Sequence, residues 1–558
     1  MREPSPPPWE RGFSLLAQSR HQLIDGLRTL QAQETGTLFK QARLQVAMCY
    51  PSPYHVGMSS LGFQTIYREV HAHPEATAER VFLPDDVDAW RAARAMPSSI
   101  ETQRPLDQFD VLAFSVAYEL ELTGVFELLE SSGFPALRQS RSEAMPLVVA
   151  GGPLTFSNAD PLEPFVDVLL QGEAEDLIAP LLDAVLAGGG KAAVLARLAG
   201  VPGFRVPGLS ADSTRGFVFK ATDARLPARS QIVTPNTELR SMFLIEPERG
   251  CSRGCHYCVM RRTTNGGMRT VPVDRVLSLI PAGVKRVGLV GAAVTDHPQI
   301  AELLETLAKD GREVGISSLR ADRLTPRLVD ALRACGAQVL TVASDGPSQR
   351  LRDLVDRKHS EAQIVRAAQM AKAAGFKRLK VYNVIGLPTE TDEDIDELVR
   401  FTLELSRILP VALGVAPFAA KRNTPLDGAP FAGIDVVDKR LERLRRGLKG
   451  RAELRPTSAR WAWVEYVMAQ SGPEAGLAAY DAWKAGGAFA AWKKAFAARD
   501  VRPYEFRRTP DGRRNAVAWP SVGRQAGLLS IPSGGGAEIA PSRQVSDWGP
   551  LELKDLPR

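Results

Sequence analysis

The chain has 558 residues, of which 44% are hydrophobic and 24% charged, and its formal net charge is +6. This length predicts about three globular domains with sizeable cores. The small positive charge permits nucleic acid as a partner without arguing for it.

Several kinds of targeting and cross-linking signal are missing from the sequence. The start, "MREPSPPPWERGF", lacks a basic segment followed by an apolar run, so it does not predict a secretory signal. No uncharged apolar stretch reaches about 18 residues, so no membrane span is predicted. The five cysteines are few and unevenly placed, which argues against a disulfide framework. We therefore expect a cytoplasmic protein with no membrane partner.

The first part of the chain predicts a helical lead-in, at residues 1–40, and then a parallel α/β domain. The leucines of the lead-in are spaced for one helical face: Leu15, Leu16, Leu23, Leu27 and Leu30. Apolar runs that predict strands follow at 42–51, 109–117, 146–152 and 165–172. Helical stretches such as 122–133 lie between some of them, so we expect a Rossmann-like parallel-sheet domain at 41–200 and a connector at 201–238.

The middle of the chain, residues 239–437, predicts a second α/β domain. Its strands are expected at 242–247, 284–291, 313–319, 337–344, 376–386 and 410–418, with helices between them. Six βα repeats in about 200 residues predict a partial (β/α)6 TIM barrel, because a closed eight-unit barrel needs about 250.

After the predicted barrel the sequence becomes helical and basic, at 438–525, and then rich in Gly, Pro and Ser, at 526–558, which predicts a flexible tail. The arginines and lysines at 439–451 could contact phosphates or form a solvated face between leucines. Four tryptophans could stack bases or pack the helices: Trp461, Trp463, Trp483 and Trp492. RNA is therefore left open as a partner.

Three of the five cysteines lie within eight residues, directly after the first predicted barrel strand: Cys251, Cys255 and Cys258. Three thiolates at this spacing can bind three corners of a 4Fe–4S cluster and leave the fourth iron open to a small molecule. Tyr257 is placed to pack beside a bound aromatic ring. A zinc site and three unrelated core cysteines are the alternatives, although zinc would need a fourth ligand and His256 lies between two of the thiols. The carboxyl end of a barrel strand is where such folds place their chemistry.

The segment "CSRGCHYC" resembles the signature of the radical SAM superfamily, and the chain as a whole resembles its methylthiotransferase-like branch. The resemblance implies that the three cysteines ligate the cluster and that the open iron chelates S-adenosylmethionine (SAM). It further implies that one electron cleaves SAM to methionine and a 5′-deoxyadenosyl radical.

Other segments that resemble this superfamily imply the contacts to SAM. They are "GLVGAAVTDH", which departs from the usual Gly-Gly-Glu, "ISSLRADRLT", "VASDGPSQR", with Asp where Glu is usual, and "VYNVIGLPTETDED". The residues implied in SAM binding are Tyr257, Gly291, Ala292, Ser318, Arg320, Ser344, Asp345 and Gly386.

The first domain resembles the cobalamin-binding-type domain that is often fused before a radical SAM barrel. Small residues at Ser115, Gly151 and Gly152 would let a nucleotide tail approach the carboxyl ends of the strands. Alternatively, the glycines make a tight turn in a domain that has lost its ligand. The element D-x-H-x-x-G, which supplies an axial histidine, is missing, and His55 is not in that frame. The whole arrangement resembles an uncharacterised fused radical SAM family, which does not define a substrate.

We therefore expect a radical SAM enzyme that acts on an unknown substrate and takes electrons from an external donor such as flavodoxin or ferredoxin. Bound cobalamin would favour methyl transfer. The first domain has Cys49 as its one cysteine, so it lacks the second cluster site of a methylthiotransferase, and Cys335 is interpreted as a packing residue. The alternative from another class is a non-catalytic iron–sulfur or nucleic-acid-binding scaffold.

Overall fold

The computed structural model describes residues 18–260, 267–317 and 319–503, together with two short strands at 507–508 and 514–515. Ser318, Leu15, Leu16 and the predicted tail at 526–558 lie outside the described residues. No helix within these ranges is both long and apolar enough to cross a bilayer.

The first domain is built on a six-stranded sheet whose strands are buried by apolar side chains on both faces. The strands are β1 (Leu44–Tyr50), β2 (Ala76–Phe82), β3 (Val111–Ser115), β4 (Leu147–Gly151), β5 (Val168–Leu170) and β6 (Phe204–Arg205). Their order is β2-β1-β3-β4-β5-β6, and all pairs are parallel except β5 with β6. This is the parallel-sheet architecture that the four apolar runs predict.

Helices cover this sheet and extend it toward the start of the chain. They span Arg20–Ala32, Tyr54–Gly57, Leu61–Ala72, Val87–Ala92, Leu122–Ser131, Ile178–Leu186 and Gly190–Leu198. The first one begins with a capping box in which Ser19 and Gln22 bond each other's backbone. Its buried Leu23 packs with Trp90, so the predicted apolar face of the lead-in is used for packing.

A buried ion network joins the lead-in to the sheet. The Arg80 guanidinium on β2 is fully buried and lies 2.6 Å from a carboxylate oxygen of Glu34 and 2.7 Å from one of Glu101. The Tyr54 hydroxyl also donates to Glu34, at 2.6 Å. Because each charge has a partner, the network can be buried without leaving an unpaired ion.

The second domain contains two parallel sheets that continue one another. The strands are β7 (Phe243–Ile245), β8 (Glu248–Gly250), β9 (Met268–Thr270), β10 (Arg286–Leu289), β11 (Glu313–Ile316), β12 (Val339–Ala343), β13 (Arg378–Ile385), β14 (Val411–Pro417) and β15 (Glu453–Pro456). The orders are β11-β10-β7 and β12-β13-β14-β15, and a parallel bridge between Leu319 and Val342 connects the two sheets. The result is the open α/β barrel that the sequence predicts. The barrel sheet has one strand beyond those predicted, β15, which lies in the region predicted to be helical.

The helices around this barrel alternate with its strands, and three more follow it. They span Val273–Ser278, Ile300–Lys309, Pro326–Ala334, Gln349–Leu354, Glu361–Ala373, Asp392–Ile408, Ile434–Leu448, Ala459–Ala469, Pro473–Lys484 and Phe489–Ala498. Single 3-10 turns lie at Leu106–Gln108, Glu119–Glu121, Arg138–Ser140, Pro153–Phe156, Asp160–Leu162, Asp212–Thr214, Asp223–Arg225, Val294–Asp296 and Ala321–Arg323. A last antiparallel pair joins β16 (Arg507–Arg508) to β17 (Arg514–Asn515).

The last helices pack between the two domains. Tyr480 and Trp483 stack on each other and meet the edge of Phe126 in the first domain. The Asn158 amide donates to three carbonyl groups at the end of the helix Ala459–Ala469 and just after it, including that of Ser471 at 2.7 Å. These tryptophan and tyrosine rings therefore serve packing between domains.

The basic helix Ile434–Leu448 is held by ion pairs to its neighbour. Arg443 lies 2.5 Å from Asp396, and Arg440 lies 2.9 Å from the buried Glu390. Leu441, Leu444 and Leu448 fill the opposite, buried face. Several of the charges that could have suggested RNA binding are thus paired within the protein.

The carboxyl ends of the two sheets face each other. Lys421, after β14, lies 2.8 Å from Glu119, after β3. The Asn423 amide donates to the carbonyl groups of Phe156 and Ser157, after β4, at 3.1 Å each. Loops at the mouth of the barrel therefore lie against the edge of the first domain where a ligand of a parallel sheet is expected.

Candidate functional site

The three clustered cysteines lie on the loop that connects β8 to β9, at the carboxyl end of β7. The two strands form an antiparallel hairpin, and Gly250 enters the loop with a φ of 96°, a conformation that favours glycine. Cys255 is buried, and Cys251 and Cys258 are half-buried. The backbone N–H of Arg253 donates to the Cys251 sulfur at 3.4 Å.

His256 anchors the loop between its thiols. Its backbone N–H donates to the Val355 carbonyl at 3.0 Å, and its Nδ1 lies 2.9 Å from the Leu354 carbonyl. Its own carbonyl accepts from the Leu426 N–H at 3.1 Å. Among the described residues, no three His, Cys, Asp or Glu side chains are placed to hold a single metal ion. The contacts of His256 thus anchor the loop to the carboxyl end of the helix Gln349–Leu354.

A second anchor runs through Tyr257. Its hydroxyl donates to Asp345 Oδ2 at 2.8 Å, and Arg357 forms an ion pair with the same oxygen, its Nε lying 2.8 Å away. The Arg357 Nη1 lies 3.7 Å from the Cys255 sulfur. Burial and then the Asp345 charge raise the pKa of Tyr257 above its ordinary value, so the ring keeps its proton. A guanidinium group therefore stands beside a sulfur that would bind metal as an anion.

The other two thiols are protonated when no metal is bound. Burial raises the pKa of Cys251, and burial followed by the neighbouring thiols raises the pKa of Cys258 to about 11. Metal binding to such thiols releases protons.

Gly291 and Ala292 lie just after β10, against a buried carboxylate that the sequence analysis did not identify. Glu248 Oε1 accepts from the Ala293 N–H at 2.8 Å, and a Cβ at Gly291 would come within 2.2 Å of that oxygen. Glu248 Oε2 is buried with no hydrogen-bond partner among the described residues. Burial raises the pKa of Glu248 to about 7. An acidic residue three positions before Cys251 was the available signal.

Arg320 is buried in an ion network that reaches the cysteine loop. It pairs with Asp296 and with Asp322, the latter at 2.5 Å, and lies 3.4 Å from the Ser252 hydroxyl. Arg253 also pairs with Asp322, at 2.5 Å. These contacts hold the loop after β11 to the cysteine loop, and a direct contact of Arg320 with SAM stays a prediction.

The loops after β12 and β13 hold the remaining predicted SAM contacts. Ser344 is fully buried, and its N–H donates to the Tyr382 carbonyl at 2.9 Å. Gly386 turns the chain with a φ of 80°, and its N–H donates to both oxygens of Glu390 at 2.8 Å. The Asn383 Oδ1 is buried without a hydrogen-bond partner among the described residues. The turn after β13 is therefore fixed by Glu390, which lies in the quoted "GLPTE" segment.

The predicted cobalamin contacts lie at the carboxyl ends of β3 and β4. Ser115 and Gly151 are half-buried there. Gly152 has a φ of 103°, and a Cβ would come within 2.7 Å of the Val116 carbonyl, so close backbone packing accounts for this glycine. His55 is half-exposed beside Asp85, at 3.7 Å. The binding of cobalamin at this edge stays a prediction.

Cys49 and Cys335 lie apart from this site. Both are buried. Cys335 lies at the end of the helix Pro326–Ala334, and its sulfur lies 3.3 Å from the Leu304 carbonyl. Burial raises the pKa of Cys335 to about 11. A protonated, enclosed thiol suits a packing residue.

Comparison with known proteins gives two family matches. Residues 245–402 match the family model described as the radical SAM superfamily. Residues 62–207 match the one described as the N-terminal part of radical SAM proteins. The chain is also similar to an uncharacterized protein of Methanocaldococcus jannaschii, with 28% identity over 396 residues, which cover 69% of this chain and 80% of that relative.

Two further similarities are more limited. The ribosomal protein uS12 methylthiotransferase RimO of Geotalea uraniireducens is 29% identical over 216 residues, which cover 35% of this chain and 46% of the relative. A structure of the radical S-adenosylmethionine methyltransferase TsrM from Kitasatospora setae, with cobalamin and a 4Fe-4S cluster bound, superposes with a TM-score of 0.48 at 15% identity. That superposition covers 72% of this chain and 75% of TsrM.

Proposed function

We propose that this chain, in which a radical SAM match follows a match to the N-terminal part of radical SAM proteins, is a radical SAM enzyme whose 4Fe–4S cluster is held by Cys251, Cys255 and Cys258. With SAM and an electron from an external reductant, such a cluster supplies methionine and a 5′-deoxyadenosyl radical, which takes a hydrogen atom from a substrate. The substrate is not defined by the family.

The observation that carries this proposal is the cysteine loop itself. Three thiols lie on one short loop at the carboxyl end of the first barrel strand, and the loop is held at His256 and at Tyr257 by the contacts described above. An anchored loop keeps its thiols in place before the cluster binds, which lowers the cost of ordering them. Arg357 supplies a positive charge that offsets part of the negative charge of three thiolates.

Two buried acceptor atoms support the binding of SAM at the same mouth. Glu248 Oε2 lies beside Gly291, and Asn383 Oδ1 lies in the strand that leads to Gly386. Neither has a hydrogen-bond partner among the described residues, and a buried acceptor without a donor is unfavourable. The ammonium group and ribose hydroxyls of SAM are donors of the kind that these atoms lack.

The first domain supports radical chemistry by covering the barrel mouth. The pair between Lys421 and Glu119 and the contacts of Asn423 close the loops of one domain onto the other. Exclusion of solvent limits side reactions of a reactive intermediate. We further propose that a corrinoid bound near Ser115 and Gly151 would face this mouth, and methyl transfer to substrate carbon is the chemistry that cobalamin supplies.

The test is anaerobic reconstitution with iron and sulfide, followed by SAM and dithionite. We expect about four irons per chain and the formation of 5′-deoxyadenosine and methionine, both measured by mass spectrometry. The matched control is Cys335→Ala, which removes a buried thiol outside the loop and should keep both results. Cys255→Ala should lose both.

The radical reaction and the proposed methyl transfer are contradicted by different results. Protein that binds iron but forms no 5′-deoxyadenosine would contradict the radical reaction, as would a single bound zinc. Protein that cleaves SAM but binds no hydroxocobalamin in equilibrium dialysis would retain the radical reaction and contradict the methyl-transfer branch.

A further inference from the structure

A cavity of about 430 Å³ lies where the two domains and the last helices meet. Its walls come from the carboxyl ends of β13 and β14, the helix Ala459–Ala469 and Leu120 of the first domain. Tyr257, which directly precedes Cys258, forms part of the wall. The cavity therefore opens beside the cysteine loop, and its volume suits a small molecule.

One wall of the cavity presents an exposed aromatic ring. Trp461 is 39% exposed although it is a large apolar side chain. Its ring is held edge-on by the buried Trp492, at 6.4 Å between ring centres and 88° between planes. A rigid, exposed tryptophan across a cavity from Tyr257 favours a planar ring as the ligand, since stacked or edge-on ring pairs contribute beyond the area that they bury.

The ion cluster at the polar wall, which consists of Lys421 and Glu465 of the lining and the buried Glu119, carries one net negative charge. Lys421 Nζ lies 2.8 Å from Glu119 and 2.7 Å from Glu465, so one ammonium group stands between two carboxylates. Glu119 is almost fully buried by this contact, whereas the Glu465 side chain is 32% exposed. Burial lowers the pKa of Lys421. The two carboxylates raise this pKa by more than burial lowers it, so it lies above its ordinary value.

Lys421 is the one cation among the described residues that line the cavity. Tyr118 is exposed next to these groups, and its pKa is raised first by burial and then by Glu121, Glu465 and Glu119. The Arg460 guanidinium, one residue before Trp461, lies over the ring of Phe489 instead, at 5.7 Å. A partly exposed carboxylate in a negative wall attracts a cation, and an aromatic ring nearby strengthens that attraction.

We propose that this cavity is the substrate site of the enzyme, and that the substrate is a small molecule with an aromatic ring and a protonated amine. The substrate ring lies against Trp461 and the substrate amine lies at Glu465, while Tyr257 is left to SAM, as the resemblance implies. This assignment rests on the proposed function for its chemistry, because the position beside the cysteine loop makes the cavity the place where a hydrogen atom would be removed.

The test compares three probes on the full-length, cluster-loaded protein without reductant. Tryptamine has both features, 3-ethylindole has the ring alone, and cyclohexylethylamine has the amine alone. By isothermal titration calorimetry we expect tryptamine to bind about tenfold more tightly than either of the others, the value of one charge-assisted contact or one aromatic contact.

Variants test which residue makes tryptamine bind more tightly than 3-ethylindole and which makes it bind more tightly than cyclohexylethylamine. Glu465→Gln should remove the advantage of tryptamine over 3-ethylindole, and Trp461→Ala should remove its advantage over cyclohexylethylamine. Trp461→Phe should restore most of the latter. Glu442→Gln, on an exposed helix face away from the cavity, is the matched control and should bind tryptamine as the unaltered protein does.

Equal binding of tryptamine and 3-ethylindole would overturn the proposal, and so would unaltered tryptamine binding in both Glu465→Gln and Trp461→Ala. Absence of binding by all three probes would overturn it as well. None of these results depends on SAM cleavage, so a failure of the radical reaction in the unaltered protein would be recognised separately, by the absence of 5′-deoxyadenosine.

Discussion

Replacing Asp345 with asparagine should loosen the cysteine loop without removing any thiol. Asp345 Oδ2 accepts from the Tyr257 hydroxyl at 2.8 Å and forms an ion pair with Arg357 Nε at 2.8 Å, and the side chains of the ion pair are 14% and 12% exposed. Asparagine has one acceptor oxygen and no charge, so at least one charge-assisted contact is lost. Its loss costs about 2 kcal/mol, which corresponds to about 30-fold more frequent opening of the loop.

The measurement is hydrogen–deuterium exchange of the metal-free, full-length protein, followed by mass spectrometry of peptides that span 251–260. The amides of His256 and Cys258 are the most informative, because they donate to the carbonyl groups of Val355 and Cys255. Exchange at these amides reports local opening and not the unfolding of the whole chain. We expect it to be about 30-fold faster in Asp345→Asn.

Asp356→Asn is the matched control. Asp356 lies in the same segment and also has a positive φ, 52° against 59° for Asp345. Its ion-pair partner Lys358 is 61% exposed, so its loss should leave exchange unchanged. Unaltered exchange in Asp345→Asn, or equal acceleration in both variants, would refute the assignment of this ion pair as an anchor.

Three further predictions concern the cluster and the first domain. Cys255→Ser should abolish cluster binding, measured as iron per chain after anaerobic reconstitution. Arg80→Met should lower the free energy of unfolding of the first domain by about 3–5 kcal/mol, measured in urea, because it leaves two buried carboxylates unpaired. The control Arg327→Met removes an exposed ion pair and should leave the urea concentration at the unfolding midpoint unchanged. Burial lowers the pKa of His71 to about 4. As the pH falls below about 6.5, His71 is therefore protonated in the unfolded chain before it is protonated in the folded one. The free energy of unfolding decreases by about 1 kcal/mol by pH 5, allowing for the partial exposure of the ring. Calorimetry of His71→Gln should show a smaller decrease between pH 7 and pH 5.

Each of these three has a result that contradicts it. Iron retained in Cys255→Ser would mean that another side chain completes the site. A midpoint in Arg80→Met equal to that of Arg327→Met would show that the buried network contributes nothing to stability. Equal acid sensitivity of His71→Gln and the unaltered protein would assign the effect to other groups.

Much of the fold could be predicted because its parallel strands are buried on both faces. The six apolar runs of the barrel, and four of the first sheet, are short, continuous and separated by helical patterns. The strands β2 and β15 were missed for a physical reason. In β2, an edge strand of the first sheet, Glu79 and Arg80 are buried but paired, so their charges conceal a buried strand, and in β15 the alternation of charge and Pro456 resembles a loop.

The candidate site could be predicted in part. Spacing alone singles out the three cysteines as candidate ligands, because the ligands of such a cluster lie close together in sequence. The residues that hold or surround them could not be found in this way, because Arg357 reaches Cys255 only when β12 is in place, and Lys421 meets Glu119 and Glu465 from three distant segments. Glu248 is an intermediate case. It lies close in sequence to the cysteines, but only the structure shows that its Oε2 atom is buried without a hydrogen-bond donor among the described residues.

The helices that follow the barrel also impose an order of events during synthesis. Asn158 bonds to carbonyl groups more than 300 residues further on, and Trp461 follows Cys251 by about 200 residues of chain. A ribosome therefore releases the three thiols well before it releases the helix Ala459–Ala469, which lines the cavity beside them. For that interval the cavity lacks one of its walls, so the cysteine loop is synthesised before the cavity beside it can form.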